Sequence, residues 1–224
     1  MKELTPVQSR IVGCLIEKEM ATPDNYPLTM NALLAACNQT STRNPVTKLE
    51  EPTVSNALEN LRAEQVVRIV YSRSNRADKF RHVLGEILAL EPEHLALLCV
   101  MMLRGPQTVN ELRIRTERLH PFASQEELDD ALRQLAGRSE PLVARLERRP
   151  GQKESRWAHL LGGDLAEVLA GDDDDRADDG RPASSARTDR VTALEEAVAD
   201  LRADLERLRT SHRNLVARLG EADD

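Results

Sequence analysis

Two stretches of the chain share the same change of period. Val54, Ala57, Leu58 and Leu61 fall at helical spacing, and Val66, Val67, Ile69 and Val70 then form a short β-prone segment. A polar, arginine-rich turn follows, with a second strand expected at Phe80 to Leu84. A helix followed by a hairpin with a basic loop is how a winged helix-turn-helix ends. The same order returns downstream, where a helical stretch from Leu128 precedes a hairpin pattern from Leu142 to Leu161.

The residues before each helix–hairpin pair complete the two copies. In the first, Thr5, Pro6 and Gln8 spell a capping box, in which side chains satisfy backbone N–H groups that lack helical partners. Val7, Ile11, Cys14, Leu15 and Lys18 mark one stripe of that helix, with Ile11 and Leu15 as its anchors. Pro23 and Pro27 break the pattern, and Thr29 caps a second helix carrying Ala32, Leu33 and Ala36. No period runs through Asn38 to Val46, which suits either a functional loop or an Asx-rich turn. A third helix follows Pro52.

The second copy repeats these signals. Leu90-Glu91-Pro92 echoes Leu4-Thr5-Pro6, and Leu95, Leu98, Met102 and Leu103 mark the helix that follows. Thr108 to Glu111 forms a fresh capping box, and Ser124 to Glu127 forms another before Leu128, Ala131, Leu132 and Leu135. The matches keep their order at offsets of 86, 79 and 74 residues, as in a duplicated module whose loops have drifted. The fold class expected is mainly α with small β-hairpins (α+β), as tandem winged helix-turn-helix domains followed by a C-terminal coiled-coil helix. The units are a first winged-helix domain at 1–86, a second at 87–162, an acidic disordered linker at 163–188 and the coiled-coil helix at 189–220.

Composition narrows the core and the compartment. Hydrophobic residues make up 40% of the 224 but aromatic ones only 2%, so the cores are expected to be aliphatic. Cys14, Cys37 and Cys99 lie in apolar patterns without zinc-type spacing, as expected of reduced thiols in the cytoplasm. The apolar run from Leu95 to Leu103 is too short to span a bilayer, and the start lacks a signal-peptide pattern. The net charge of -7 is uneven: residues 162–224 hold 17 acidic and 9 basic side chains, leaving 21 acidic and 22 basic in the rest. Nucleic-acid binding would therefore depend on local patches.

Such patches are present. Ser55, Asn56, Asn60 and Arg62 fall on the outward side of the first third helix, where asparagine can pair with adenine and arginine can meet bases or phosphates. Glu50, Glu51 and Glu59 oppose this by repelling phosphates. Arg73, Arg76, Lys79 and Arg81 crowd the first wing beside Tyr71, and Arg148, Arg149, Lys153 and Arg156 crowd the second. Arg43 in the polar loop completes the nucleic-acid-binding candidates. Glu126, Glu127, Asp129 and Asp130 load the third helix of the second copy with negative charge, which suits the helix dipole but repels a DNA backbone. Trp157 reads as the plug of the second hairpin's core.

The tail has its own pattern. Gly171 to Ser185 is acidic and lacks apolar residues other than alanine, as in a disordered linker. Val191, Val198, Leu205, His212 and Leu219 then recur every seventh residue, with Leu194, Leu201, Leu208 and Leu215 three residues after the first four of them. These heptads favour a parallel dimer, with Val191, Leu194, Val198, Leu201, Leu205, Leu208 and Leu215 as dimerisation candidates. A single amphipathic helix folding back on the globular part is the alternative.

No catalytic frame emerges from the sequence. His82, His94, His120, His159 and His212 lack metal-ligand spacing, and no glycine-rich phosphate loop or GxSxG elbow occurs. The expectation is a non-enzyme with no cofactor and no metal.

Four segments carry a family resemblance: KELTPVQSRIVGCLIEKEMATPDNYPLTMNALLAACNQTSTRNPV, SNALENL, LRGPQTVNELRIR and RRPGQKESRWAHL. In this order they resemble the YceH-like family of uncharacterised bacterial proteins over about residues 2–161, with the tail after Gly171 outside the common pattern. The resemblance implies paired winged-helix domains and DNA binding, and no catalytic residues. Two readings follow. One is a DNA-associated, homodimeric regulator that contacts double-stranded DNA; the other is a protein-interaction scaffold with an unidentified protein partner.

Overall fold

A computed structural model describes residues 3–71, 77–148 and 154–162. These fall within one compact unit, residues 1–173. The described residues are mainly helical, with two small antiparallel sheets.

The first repeat contains α1 (Pro6–Ala21), β1 (Leu28–Thr29), α2 (Met30–Cys37), α3 (Glu51–Ala63), β2 (Val67–Val70) and β3 (Lys79–His82). A short α4 (Leu84–Leu88) leads into the second, which contains α5 (Pro92–Arg104), α6 (Val109–Thr116), α7 (Gln125–Ala136), β4 (Val143–Arg145) and β5 (Trp157–His159). The second expected strand therefore ends two residues early, because Leu84 already opens α4.

Local signals set the helix starts. Thr5 and Gln8 exchange their hydrogen bonds at α1, as do Thr108 and Glu111 at α6, and Thr29 Oγ1 accepts from Ala32 N at α2. At α7 only half the expected box forms: Ser124 Oγ accepts from Glu127 N, but Glu127 Oε2 reaches back to Ala123 N at 2.6 Å. A box not foreseen joins Glu91 and His94 at α5. After α3, Gln65 takes a left-handed φ of 61°. Gln65 N then donates to Arg62 O and Val66 N to Leu61 O, a Schellman closure that turns helix into strand within three residues.

The sheets share a plan. In the first the order is β1-β3-β2, with Phe80 opposite both Leu28 and Ile69. In the second, β4 pairs with β5, and Trp157 makes a further antiparallel bridge to Gln107 just before α6. Trp157 thus holds the place in its hairpin that Phe80 holds in the first, and packs against the core from a half-buried position. This order of helices, single early strand and hairpin is a winged-helix-like topology in the first repeat, and the second follows it with the isolated bridge at Gln107 in place of the early strand.

The expected single stripe on α1 is not what forms. Every residue from Gln8 to Ile16 is buried, because elements of its own repeat cover one side and α5 covers the other. On α5 every residue from Ala96 to Leu103 is buried, as expected of a helix apolar all round. The two helices approach closely at Gly13, where an added Cβ would lie 2.9 Å from Leu103 Cδ2, and Cys99 Sγ donates to Gly13 O at 3.3 Å. One aliphatic core therefore runs through both repeats.

Strand β5 carries a half-buried titratable group. Burial pushes the His159 imidazole down to about 4, and Nδ1 has no hydrogen-bond partner. The unfolded chain takes up this proton near pH 6.5, so stability is full above that pH and falls as pH drops from 6.5 towards 4. The expected loss is about 1–3 kcal/mol, below the full linkage value because the residue keeps partial exposure. Urea unfolding at pH 7.5 and pH 5, on the native chain and on His159→Phe, checks this; equal losses in both would remove His159 as the cause.

Candidate nucleic-acid interface

Helix α3 turns Val54, Ala57, Leu58 and Leu61 into the core. Asn56, Asn60 and Arg62 are left exposed and Ser55 half-buried, with exposed Glu59 between them. Beside it the hairpin is anchored from below: the amide of His82 donates to the Tyr26 hydroxyl at 2.8 Å, and buried His82 Nε2 lies 2.6 Å from Glu19 Oε2 on α1. Sequence reasoning missed this anchor, since Glu19 and His82 lie 63 positions apart and neither sits in a motif.

The wing cations do not all face outwards unopposed. Arg81 Nη1 lies 2.6 Å from Glu86 Oε1, and Arg68 Nη1 lies 3.5 Å from Glu86 Oε2. The hydrogen bond from Arg81 and its charge hold the exposed Glu86 carboxyl below the usual range. Arg81 is thus partly neutralised by α4. Among the described residues Arg62 and half-buried Lys79 make no ion pair. Arg73 and Arg76 lie outside the described residues.

Arg43 requires a correction. Its side chain is fully enclosed, and Nη1 and Nη2 grip Glu17 at 3.0 and 2.7 Å. Nε donates to Ala36 O, Nη1 also to Thr42 O, and Nη2 to Gln39 Oε1. Burial raises the Glu17 carboxyl, but the hydrogen bonds and charge of Arg43 outweigh it and leave the group below its ordinary value. With its donors spent internally, Arg43 holds the loop and cannot contact phosphate. The Asn38–Leu49 pair, exchanging bonds of 2.8 and 2.7 Å, closes the same loop ahead of α3.

In the second repeat Leu128, Ala131, Leu132 and Leu135 of α7 point inwards. Glu126 and Glu127 are exposed, Asp129 and Asp130 half-buried, and Asp130 is paired with Arg133. On the hairpin, Arg145 Nε donates to Ser155 Oγ at 2.6 Å, Arg156 Nη1 donates to Pro106 O at 3.2 Å, and Arg148 is exposed. Arg149 and Lys153 lie outside the described residues, as do the dimerisation candidates from Val191 to Leu215.

Among the described residues no group of three or more His, Cys, Asp or Glu side chains could hold a metal ion. No described helix is long and apolar enough to cross a membrane.

Comparison with known proteins agrees with the resemblance carried by the sequence. A family model described as "Protein of unknown function, DUF480" matches residues 4–152. A UPF0502 protein of Pelobacter propionicus is 47% identical over 209 residues, covering 92% of this chain and 93% of the relative. One from Geobacter sulfurreducens is 48% identical over 198 residues, covering 88% and 90%. One from Cupriavidus taiwanensis is 37% identical over 224 residues, covering 100% and 90%. The family model ends at residue 152, ahead of the tail, whereas that last alignment runs through the tail as well. The chain belongs to the DUF480 family, whose bacterial relatives carry the name UPF0502.

Proposed function

We propose that the chain is a non-catalytic, DNA-associated cytoplasmic protein built on two winged-helix domains, at 1–86 and 87–162. Its role would be that of a transcriptional regulator. The observation that supports this most is the exposed face of α3, where Asn56, Asn60 and Arg62 stand beside a hairpin anchored to α1. Arg62, Lys79, Arg73 and Arg76 meet phosphates, Asn56 and Asn60 read base edges, and the second wing adds backbone contacts. The segment at 163–188 links this body to a helix at 189–220 that pairs two copies, so that two weak sites act together.

Fluorescence anisotropy on mixed duplex DNA across a salt series tests the reading. Log affinity is expected to fall linearly with log salt, and each neutralised phosphate contact among Arg62, Lys79, Arg73 and Arg76 to reduce the slope by about one. Substituting all four by alanine without changing affinity or slope would overturn it.

The scaffold reading draws support from two observations. The start of α7 is acidic, and Arg68 and Arg81 are engaged by Glu86. Failure to bind duplex even at low salt would make that reading the leading one, with α7 as the docking helix.

A further inference from the structure

An open groove runs between the last turns of α3 and strand β2, lined by Glu59, Arg62, Val67, Arg68, Ile69 and Tyr71. Tyr71 is 79% exposed, more than any other large hydrophobic residue among the described ones. A single exposed aromatic is ordinary on a protein surface. This one borders a groove that offers two guanidinium groups, one carboxylate and an apolar floor from Val67 and Ile69. Arg62 is exposed without an ion pair among the described residues, and Arg68 is shared loosely with Glu86 at 3.5 Å.

We propose that this groove receives a single unpaired nucleobase, so that the first repeat prefers nucleic acid with a single-stranded segment over fully paired duplex. The inference rests on the nucleic-acid reading above and specifies its substrate. An unpaired base presents what the lining can use. Its π-face stacks on the Tyr71 ring, its flanking phosphates meet Arg62 and Arg68, and its ring N–H or exocyclic amine donates to the Glu59 carboxylate. In paired duplex those faces are stacked on neighbouring bases and those edges are engaged in pairing. Glu59 repels any anion, so the phosphates lie at the Arg62 and Arg68 ends of the groove. What favours a nucleotide over an acidic peptide is that its base brings an N–H donor to Glu59 and a flat ring to Tyr71.

The test uses the full chain and three labelled DNAs: a paired duplex, the same duplex with a single-stranded tail containing 2-aminopurine, and the same with an abasic tail. The base-bearing tail is expected to raise affinity about 5- to 150-fold over the paired duplex, the range set by stacking one base on an aromatic side chain. Binding is expected to quench the 2-aminopurine, and the abasic tail to lose the gain. Tyr71→Ala is expected to abolish gain and quenching while leaving duplex affinity unchanged; Tyr71→Phe, which keeps the ring, is expected to retain both. A tail that adds nothing, a gain preserved in the abasic tail, or Tyr71→Ala behaving like the native chain would each overturn the proposal while leaving duplex binding intact. Absence of binding to all three DNAs at low salt would overturn the nucleic-acid reading itself and this proposal with it.

Discussion

Replacing Arg43 with methionine is expected to lower the unfolding free energy by about 3–5 kcal/mol, the range for removing one partner of a buried ion pair. The Arg43 side chain has no exposure and that of Glu17 only 14%, so Glu17 loses its main counter-ion in a site that water reaches poorly. Lys18, 3.3 Å from Glu17, offsets part of the loss. Glu17→Met is therefore expected to cost at least as much, because it strands the more deeply enclosed charge. The double substitution Glu17→Met with Arg43→Met removes both charges and is expected to cost less than the two single changes added together. It does not restore full stability, since Ala36 O and Thr42 O lose the donors that Arg43 supplied. Urea unfolding of the four proteins measures the cycle; a cost below about 1 kcal/mol for Arg43→Met would show that the clamp is not a stabilising centre.

The clamp also marks where reading the sequence stops. The caps at Thr5, Thr29 and Thr108 were legible because both partners of each contact lie three residues apart and geometry leaves little choice. The repeat was legible for a related reason, since the same local signals recur in the same order. The role of Arg43 is not legible in this way, because a cation in a polar loop looks alike whether it faces solvent or a carboxylate 26 residues away. Glu127 shows the same limit at short range. Its spacing from Ser124 fits a box, yet the side chain has a competing donor one residue further back, at Ala123.

The candidate interface was legible in its inventory and only partly in its electrostatics. Periodicity sorted Val54, Leu58 and Leu61 from Asn56, Asn60 and Arg62. It gave no sign that Glu86, on a short helix after the hairpin, would draw in Arg68 and Arg81. The groove under Tyr71 likewise needed α3 and β2 to be placed side by side. The stripe drawn on α1 failed because amphipathic reasoning presumes one solvated face, and here the second repeat takes that face. The wholly apolar run from Leu95 to Leu103 in its partner carried that information already.

A fragment ending at Leu90 is accordingly expected not to fold cooperatively, although it contains every element of the first winged-helix-like unit. In the intact chain α5 covers the side of α1 that its own repeat leaves open, and Leu103 and Met102 lie against Gly13. Exposing a buried aliphatic side chain costs about 1.5–3 kcal/mol. Three such exposures approach the whole stability of a small domain, about 0.05–0.15 kcal/mol per residue. Circular dichroism melts separate the cases: a chain ending at Gly162 is expected to unfold in one sharp transition, and the fragment ending at Leu90 to lose signal gradually. In the longer chain Gly13→Leu forces atoms into the space held by Leu103 Cδ2 and is expected to cost about 1–3 kcal/mol. Because the core is continuous through both repeats, that substitution is expected to lower the single transition as a whole. Two separated transitions, or a sharp melt of the short fragment, would mean that each repeat carries a sufficient core of its own and that the α1–α5 contact is merely an interface between independent domains.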